Sequence, residues 1–397
     1  MVNTQEVVQD TRWIGGSDRR IALFENIFPL ENGVSYNSYL VTDEKTVLFD
    51  TADIAVSDQF LENLQAALAG RKLDYLVVLH MEPDHCSQIR TVAALYPGLT
   101  LVGNAKTFTM MQQFFPETAA LPRVEVKEGD TLSSGKHTYH FVMAPMVHWP
   151  EAMFAYDDAT KALFSADAFG TFGALDAGIF ADEVDFEKKY LDEARRYYAN
   201  IVGKYGMQVQ AVLKKAAGLD IAVICPLHGP VWRKDLAWFI DKYDKWSRYE
   251  PEDDGIVLIY GSLYGHTASA AALIAHRLEE KSGKTVRVFD VSKTHSSCLV
   301  GEIWKSGTVV LASPTYNNGI YLPMQALLHD LRALGLKNRK FALIENGTWA
   351  PVAGKLMREE LAGLTGCTVV EETLTIKSAL HETDSERVDA FVEAVTA

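Results

Sequence analysis

One short segment of the chain carries four side chains that can bind metal ions. It reads His80-Met81-Glu82-Pro83-Asp84-His85 and follows an apolar run, residues 75–79, which predicts a buried strand. Imidazoles and carboxylates crowded at a strand end repel one another or stay unsatisfied unless a cation binds between them. Because Pro83 fixes the turn, the four side chains need not project from one face of a straight strand. A solvated polar loop is the less favoured interpretation.

Three more candidate ligands stand just after other strand-like runs. His148 follows residues 144–147, Asp167 follows the run 162–165, and His228 follows the run 222–225. Loops that gather at strand ends build many binding sites. A single histidine at such a place is as often structural as functional, but four strand-end positions with one pattern favour a shared metal site.

This combination resembles the metallo-β-lactamase fold, whose first motif is His-x-His-x-Asp-His and whose later ligands are His, Asp and His. The resemblance covers about residues 30–245 and implies an αββα sandwich. Glu82 stands where the zinc hydrolases of that fold have histidine. Oxygen-rich ligation shifts preference from zinc toward redox-active iron or manganese. The implied metal ligands are His80, Glu82, Asp84, His85, His148, Asp167 and His228.

A second set of chemically suited residues lies in three loops of the last 140 or so residues. The first loop follows the apolar run 256–260 and leads into a helix, where hydroxyls, a glycine and a helix N-terminus offer donors to a phosphate. The two others also follow apolar runs, and each brings one aromatic ring and turn-forming residues that expose backbone N–H groups. The arrangement resembles short-chain flavodoxins. That resemblance places the FMN phosphate at Ser262, Leu263, Tyr264, Gly265, His266 and Thr267, and the isoalloxazine at Pro314, Thr315, Tyr316, Asn317, Asn318, Gly319, Asn346, Gly347, Thr348 and Trp349.

Two kinds of scaffold must position these residues. In residues 1–250, strand-like runs come in neighbouring pairs, with helical runs at 57–68 and 209–217, which predicts an α+β, mostly antiparallel sandwich covered by helices. The predicted strands are 35–41, 46–50, 75–79, 137–143, 153–156, 162–165 and 222–225.

The pattern changes after an acidic, proline-bearing stretch, residues 249–254, which reads as a linker. From residue 251 to residue 397, strands and amphipathic helices alternate, which predicts a doubly wound α/β domain with a parallel sheet. The predicted strands are 256–260, 285–290, 308–313, 340–346 and 369–376, and examples of the helices that alternate with them are 268–281, 322–334 and 385–395.

Composition and charge narrow the partners. The 397 residues include 38 Lys and Arg against 52 Asp and Glu, a formal charge of −14, which disfavours nucleic acid and anionic membrane surfaces. The chain lacks a secretory signal pattern and any apolar run near the length of about 18 residues that a membrane span needs. Four cysteines without a Cys-x-x-Cys pair argue against a disulfide framework, a fused rubredoxin or an iron–sulfur cluster. We therefore expect a cytoplasmic protein.

A lactamase-like domain with Glu82, joined to a flavodoxin, resembles the flavodiiron proteins over nearly the whole chain, in their minimal two-domain class. The resemblance implies one iron on His80, Glu82 and His148, the other on Asp84, His85 and His228, and Asp167 between them. It also implies reduction of dioxygen to water, of nitric oxide to nitrous oxide, or of both, with electrons from rubredoxin or another donor. Two ferrous ions and one reduced FMN together hold the four electrons that dioxygen needs.

The resemblance further implies a head-to-tail homodimer, or a dimer of dimers, in which each FMN faces the irons of the other chain. One alternative is a zinc-dependent hydrolase with a flavodoxin as a docking module, which Glu82 disfavours. Another is an electron-transfer flavoprotein with a vestigial metal site, which the full ligand set disfavours. His137 and His140 are expected to point to opposite faces of a strand, and we assign surface or packing roles to His276, His295, His329 and His381.

Overall fold

The computed structural model describes residues 2–176 and 178–397, which form two compact units. The first unit contains the residues before Ala199 and the segment Tyr205–Asp244, and the second contains Ala199–Lys204 and Lys245–Ala397. The domains predicted from sequence, 1–250 and 251–397, differ from these units at residues 199–204 and 245–250. No helix of the described residues is long and apolar enough to cross a membrane.

Short strands and helices alternate in the first unit. Its strands are β1 (Gln5–Val8), β2 (Thr11–Trp13), β3 (Gly16–Asp18), β4 (Leu23–Phe24), β5 (Phe28–Pro29), β6 (Val34–Tyr36), β7 (Tyr39–Val41), β8 (Val47–Phe49), β9 (Tyr75–Val77), β10 (Thr100–Gly103), β11 (Arg123–Glu125), β12 (Thr131–Ser133), β13 (Thr138–Met143), β14 (Met153–Asp157), β15 (Ala162–Phe164) and β16 (Val223–Cys225). Its helices are α1 (Ser57–Leu68), α2 (Pro83–Cys86), α3 (Ile89–Leu95), α4 (Ala105–Phe114), α5 (Phe186–Lys189), α6 (Leu191–Tyr197) and α7 (Gly206–Ala216), and α8 (Leu236–Ser247) contains the point where the first unit ends.

Two sheets pack face to face in this unit, as in a metallo-β-lactamase-like sandwich. One sheet has the order β1-β2-β7-β8-β9-β10-β11, parallel from β8 onward, and the other has the order β12-β13-β14-β15-β16, parallel only at its last pair. Phe49 of β8 stacks on Phe164 of β15, with ring centroids 3.9 Å apart. Buried aromatic and β-branched residues on facing strands thus form the core between the sheets.

The prediction of one strand over residues 35–41 was wrong. The chain forms β6 and β7 in different sheets, because Asn37 and Ser38 break the run. The Asn37 amide donates to the carbonyls of Pro226 and Gly229, and the Ser38 hydroxyl contacts the carbonyl of Asp50 at 3.0 Å. These buried polar side chains bind distant backbone groups instead of continuing a strand.

The second unit is flavodoxin-like. Its sheet has the order β18-β17-β19-β21-β22, with every neighbouring pair parallel, and short β20 folds back on β19. Its strands are β17 (Asp253–Tyr260), β18 (Val286–Asp290), β19 (Ser306–Tyr316), β20 (Gly319–Ile320), β21 (Lys340–Asn346) and β22 (Thr368–Ile376), and its helices are α9 (His266–Ser282), α10 (Ser296–Lys305), α11 (Leu322–Ala333), α12 (Ala353–Leu361) and α13 (Ser385–Thr396).

The predicted strands of this unit were each found, because both faces of a parallel sheet are covered and its strands read as continuous apolar runs. The sequence also predicted that helices alternate with these strands, although it did not give bounds for α10 and α12. The three segments predicted to bind FMN stand at the carboxyl ends of β17, β19 and β21, so they meet at the edge of the sheet where doubly wound folds bind ligands. The prediction of a loop over 314–319 was wrong in part, because β19 continues to Tyr316 and pairs with β20 as a hairpin.

Candidate functional site

The residues of the first metal motif leave the sheet at the end of β9. Just beyond β9, the backbone N–H groups of Leu79 and His80 bond to a side chain and not to a neighbouring strand. Asp50 Oδ1 accepts both hydrogen bonds, at 2.8 Å and 3.2 Å. Pro83 then occupies the first turn of α2, where its missing N–H costs nothing. This one-turn helix presents Asp84 and His85 beside the extended segment that carries His80 and Glu82.

Four side chains form the first of two candidate metal groups. They are His80, Glu82, His148 and Asp167, all buried, with their ligand atoms within 4.8 Å of one another. Glu82 Oε2 lies 3.2 Å from His80 Nε2 and 3.0 Å from His148 Nε2. Asp167 Oδ2 lies 3.4 Å from His80 Nε2 and 3.1 Å from His148 Nε2. The two imidazoles and two carboxylates therefore converge on one point.

The second group consists of Asp84, His85 and His228, which are also buried. The Nε2 atoms of His85 and His228 are 3.1 Å apart, and Asp84 Oδ2 lies 3.4 and 3.3 Å from them. Asp167 takes part here with its other oxygen, since its Oδ1 is 3.1 Å from His85 Nε2. One carboxylate thus faces both groups, which is the arrangement needed to bridge two ions.

Partners of the remaining ring nitrogens orient two of the imidazoles. His80 Nδ1 lies 2.8 Å from Oε1 of Glu151, which also accepts from the N–H of Met81. His228 Nδ1 donates to the carbonyl of Ser35 at 2.8 Å. A proton held at Nδ1 leaves the Nε2 lone pair of the neutral ring free to bind a metal. Sequence reasoning missed Glu151, because nothing local links it to His80, 71 residues away.

The carboxylates oppose the effect of burial on the pKa values of two imidazoles. Burial lowers the pKa of His148, but Asp167 and Glu82 outweigh it and raise that pKa to about 9. Burial also lowers the pKa of His85, whereas Asp84 and Asp167 raise it to about 9. Burial raises the pKa of Glu82, but its hydrogen bonds to the imidazoles hold it below its ordinary range. The group is thus built to hold positive charge.

The donor set fits two metal ions. Both carboxylate oxygens of Asp84 and Oδ1 of Asp167 are buried without a hydrogen-bond partner among the described residues. A buried carboxylate oxygen that makes no hydrogen bond is costly even beside an imidazole, and coordination to a cation would remove that cost. Imidazole and carboxylate ligands suit iron, manganese and zinc, with the oxygen-rich set favouring the first two. The structure therefore brings together all seven residues that the sequence predicted to be ligands.

Aromatic rings enclose the second group. Phe24, Tyr36 and Tyr197 lie around the imidazole of His228, with ring centroids 5.5, 5.7 and 5.6 Å from it. Trp149 packs edge-on against His80 at 5.4 Å. These apolar surfaces limit the water around the imidazoles and strengthen the electrostatic interactions between them and the carboxylates.

Neither His137 nor His140 belongs to these groups. His137 is fully buried, and its Nδ1 is 2.8 Å from Asp157 Oδ2, whereas His140 is partly exposed and pairs with Asp158. His137 lies just before β13 and His140 within it, and the two differ in burial. The thiol of Cys86 is buried beside the motif, and burial raises its pKa to about 12. In the described part of the chain all four cysteines are free thiols.

A cavity of about 580 Å³ lies at the carboxyl edge of the second unit's sheet. Of the sixteen residues predicted to contact FMN, all but Gly265 and Gly319 line it, and Ala350 and Ser378 join them. Ser378 belongs to a fourth loop, after β22, which has no flavodoxin-like motif and was missed for that reason. The described lining residues include no aspartate, glutamate, lysine or arginine.

Hydroxyl groups in this cavity are set to donate. Ser262 Oγ accepts hydrogen bonds from the N–H groups of Gly265 (3.1 Å) and Ala268 (3.2 Å), and Thr315 Oγ1 accepts from those of Val352 (2.9 Å) and Ala353 (3.2 Å). Each hydroxyl keeps one proton for a further acceptor. A phosphate or a flavin carbonyl is such an acceptor.

Two aromatic side chains of the cavity have little contact with protein. Tyr264 is 91% exposed and Trp349 is 88% exposed. Both rings line the same cavity, and exposed apolar surface grouped at a cavity often marks a ligand-binding site. Their place beside donor groups fits a flat aromatic ligand that carries polar edges.

Comparisons with known proteins agree with both units. A family model described as "ODP family beta lactamase" matches residues 34–229, and the flavodoxin model matches residues 258–391. The chain is 30% identical to the anaerobic nitric oxide reductase flavorubredoxin of Aeromonas hydrophila, over 98% of this chain and 83% of that protein. It is 31% identical to the flavorubredoxin of Aliivibrio salmonicida, over 87% of this chain and 70% of that protein.

Solved structures match nearly the whole chain. Rubredoxin oxygen:oxidoreductase from Desulfovibrio gigas matches with a TM-score of 0.91 and 27% identity, over 99% of this chain and 98% of that one. The flavodiiron protein from Giardia intestinalis matches with a TM-score of 0.92 and 26% identity, over 100% of this chain and 96% of that one. The two units, in this order and with these sites, assign the chain to the flavodiiron protein family of oxidoreductases.

Proposed function

We propose that this protein reduces dioxygen to water, nitric oxide to nitrous oxide, or both, at a non-haem diiron site, with electrons relayed by FMN from an external donor such as rubredoxin. The observation that carries the proposal is the pair of buried metal groups that share Asp167. Family relatives named for both activities support it: flavorubredoxins are named as nitric oxide reductases, and the Desulfovibrio protein as a rubredoxin oxygen oxidoreductase.

In this proposal one iron is held by His80, Glu82 and His148, and the other by Asp84, His85 and His228. Asp167 offers one oxygen to each group. When bound, the two iron ions would be redox-active and could pass electrons to a small gas molecule. Glu151 keeps the Nε2 lone pair of His80 aimed at its group, and the carboxylates offset the charge that the ions bring.

The cavity of the second unit is proposed to hold FMN. The phosphate would accept from the hydroxyls and backbone N–H groups at the start of α9, where the helix dipole favours an anion. The isoalloxazine would lie between the loops 314–319 and 346–349, with Trp349 as a stacking ring. None of the described lining residues is acidic, which favours a flavin that becomes anionic on reduction.

The zinc-hydrolase alternative is less well supported. A hydrolytic zinc site of this fold needs imidazole-rich ligation with an open position for water. Here each group includes a carboxylate besides Asp167, namely Glu82 in one and Asp84 in the other. Membership in an oxidoreductase family points the same way.

The test has two stages. Protein from iron-replete cells should contain iron near two per chain and FMN near one per chain. It should then be reduced anaerobically and mixed rapidly with each gas, while flavin and iron oxidation are followed at separate wavelengths. Fast oxidation of both cofactors by at least one gas, without release of hydrogen peroxide, supports the proposal. Stoichiometric zinc together with lactam or thioester hydrolysis would overturn it.

We also propose a cytoplasmic, head-to-tail homodimer, or a dimer of dimers, that binds neither nucleic acid nor membranes. The charge of −14 and the free thiols support the location and the absence of anionic partners, and family membership supports the dimer. Two inactive variants test the assembly: His228→Ala, which should lack iron, and Thr267→Ala with Trp349→Ala, which should lack FMN. Recovery of gas reduction after subunit exchange is expected, and no recovery despite proven exchange would contradict a site built from two chains.

A further inference from the structure

Asn346 connects three loops around the flavin cavity. This residue ends β21 and is only 7% exposed. Its Nδ2 lies 3.0 Å from the carbonyl of Ser378 and 3.1 Å from Thr267 Oγ1, and its Oδ1 accepts from the N–H of Ser378 at 3.0 Å. The amide thus joins the segment 346–349 to the segment 262–267 and to the loop after β22.

The backbone of Ser378 fixes the orientation of this amide. Because a carbonyl can only accept and an N–H can only donate, the Asn346 nitrogen must face the carbonyl of Ser378 and the oxygen must face its N–H. The second hydrogen of Nδ2 therefore points at Thr267, whose hydroxyl oxygen is obliged to accept it.

This contact decides where the Thr267 proton goes. A threonine hydroxyl has one proton, and with its oxygen accepting from Asn346 that proton is left for another acceptor. Thr267 is 3% exposed, lies in the first turn of α9 and lines the cavity. An anion at the start of α9 is the acceptor that this geometry favours.

The Thr267 proton matters because the described lining residues of the cavity include no lysine or arginine. Hydrogen-bond donors and the helix N-terminus are then the main groups that can hold a phosphate. Each hydrogen bond donated to the charged phosphate then contributes a large share of its binding free energy.

We propose that Asn346 is a positioning residue that makes the cavity selective for the phosphorylated flavin over riboflavin. Asn346 acts through Thr267. Its amide nitrogen donates to the Thr267 hydroxyl and cannot accept from it, so the hydroxyl proton is directed to the phosphate. The inference rests on the proposed FMN site and names what selects the cofactor. It also predicts that Asn346 and Thr267 behave as one energetic unit toward FMN.

The test is a double-mutant cycle on the full chain, freed of flavin and titrated with FMN or riboflavin, with quenching of flavin fluorescence as the readout. Asn346→Asp can only accept, so the Thr267 proton turns to it and away from the phosphate. The loss of FMN affinity should be on the order of 10- to 100-fold, the size of a hydrogen bond to a charged group. Riboflavin lacks the phosphate and its affinity should change by less than about threefold.

The second arm separates this effect from charge repulsion. A carboxylate at position 346 repels phosphate in any background, whereas the effect through Thr267 disappears once Thr267→Ala has removed the hydroxyl. The fold-loss of FMN affinity caused by Asn346→Asp should therefore be about tenfold smaller in the Thr267→Ala background than in the unaltered chain. Thr267→Ser keeps the hydroxyl and should retain FMN affinity within about threefold of the unaltered chain.

Thr375→Val serves as the matched control. It removes a side-chain hydrogen bond of similar kind, from Thr375 Oγ1 to Glu345 Oε1 at 2.8 Å, at the same sheet edge but outside the cavity lining. It should leave the ratio of FMN to riboflavin affinity unchanged. Additive losses, or equal losses for both flavins, would overturn this inference alone. An unaltered chain that binds no FMN would overturn the proposed cofactor and this inference together.

Discussion

The metal centre and the flavin cavity use opposite physical means to hold a ligand. All seven residues of the metal centre are ionisable, and each residue is at most 9% exposed. The flavin cavity has no acidic residue, lysine or arginine among its described lining residues, and its two most prominent rings are about nine-tenths exposed. One site is a buried set of charges, and the other is an open set of hydrogen-bond donors and apolar surfaces.

This difference predicts how strongly each unit depends on its ligand. Buried carboxylates and imidazoles without ions must be compensated by protons, at a cost in folding free energy. Donors in an open cavity are satisfied by water when the ligand leaves, at little cost. We therefore expect metal loss to weaken the first unit, and flavin loss to leave the second unit folded.

The largest effect should follow from Asp167→Asn. An amide cannot offer two anionic oxygens to the two groups, so iron binding should fall by more than about tenfold at both positions, and gas reduction should be lost. FMN content should not change, because the second unit has its own core. Iron and flavin analysis of the purified chain checks this.

Asp157→Asn is a suitable control, since Asp157 is a buried aspartate of the same unit outside both metal groups. Its iron content should stay near that of the unaltered chain. Retention of one iron in Asp167→Asn would show that the two groups bind independently, contrary to the shared carboxylate.

Removal of the metals should have the next largest effect. Chelation should lower the stability of the first unit by several kcal/mol, because metal binding and folding are linked. In temperature scans, FMN release marks the unfolding of the second unit. Chelation should lower the midpoint temperature of the other transition and leave the temperature of FMN release unchanged. Equal shifts in both transitions, or none, would remove the distinction between the two sites.

Much of the second unit could be predicted because its signals are local. The strand predicted at 340–346 was confirmed to the residue, and fourteen of sixteen predicted FMN contacts line the cavity, since each follows a continuous apolar run. Ser378 was missed because its part depends on a hydrogen bond to Asn346, 32 residues away. Nothing in the sequence around Ser378 indicates that partner.

The first unit was harder to predict, since its geometry depends on distant pairings. Residue types and strand-end positions were enough to collect the seven candidate ligands. Glu151, which orients His80, and Asp50, which holds the backbone there, gave no signal, because a lone buried carboxylate looks like any surface one in a sequence. The break at Asn37 is of the same kind, as its partners lie about 190 residues along the chain.

His137 provides a smaller test of whether buried charge alone requires a metal. Hydrogen bonding to Asp157 raises the pKa of His137, against the opposing effect of burial, and His137 helps to hold the pKa of Asp157 low. A histidine whose pKa is raised on folding stabilises the protein below its unfolded pKa of about 6.5, and this is lost as pH rises through the folded pKa. The lowered pKa of Asp157 adds stability above about 4, which is lost as pH falls through its folded value.

The stability difference between the unaltered chain and His137→Gln should therefore be greatest from about pH 4 to pH 6.5 and should shrink above it, with a size of about 1–3 kcal/mol. Urea unfolding of the metal-loaded protein, with FMN release marking the second unit, measures it. Iron content should not change. A difference that grows with rising pH would mean that His137 is neutral in the folded chain.

The smallest effect on folding should come from Trp349→Ala. An 88% exposed ring has few protein contacts to lose, so the stability of the flavin-free second unit should change by no more than about 0.5 kcal/mol. The same change should weaken FMN binding by about 0.5–1.5 kcal/mol, the size of an aromatic stacking contact. Phe in place of Trp349 should restore most of that affinity, because it keeps a ring face.

Fluorescence titration and urea unfolding of the same preparations give both the FMN affinity and the stability of the second unit. A loss of stability comparable to the loss of affinity would show that the cavity's rings support the fold, and the contrast with the metal centre would then fail.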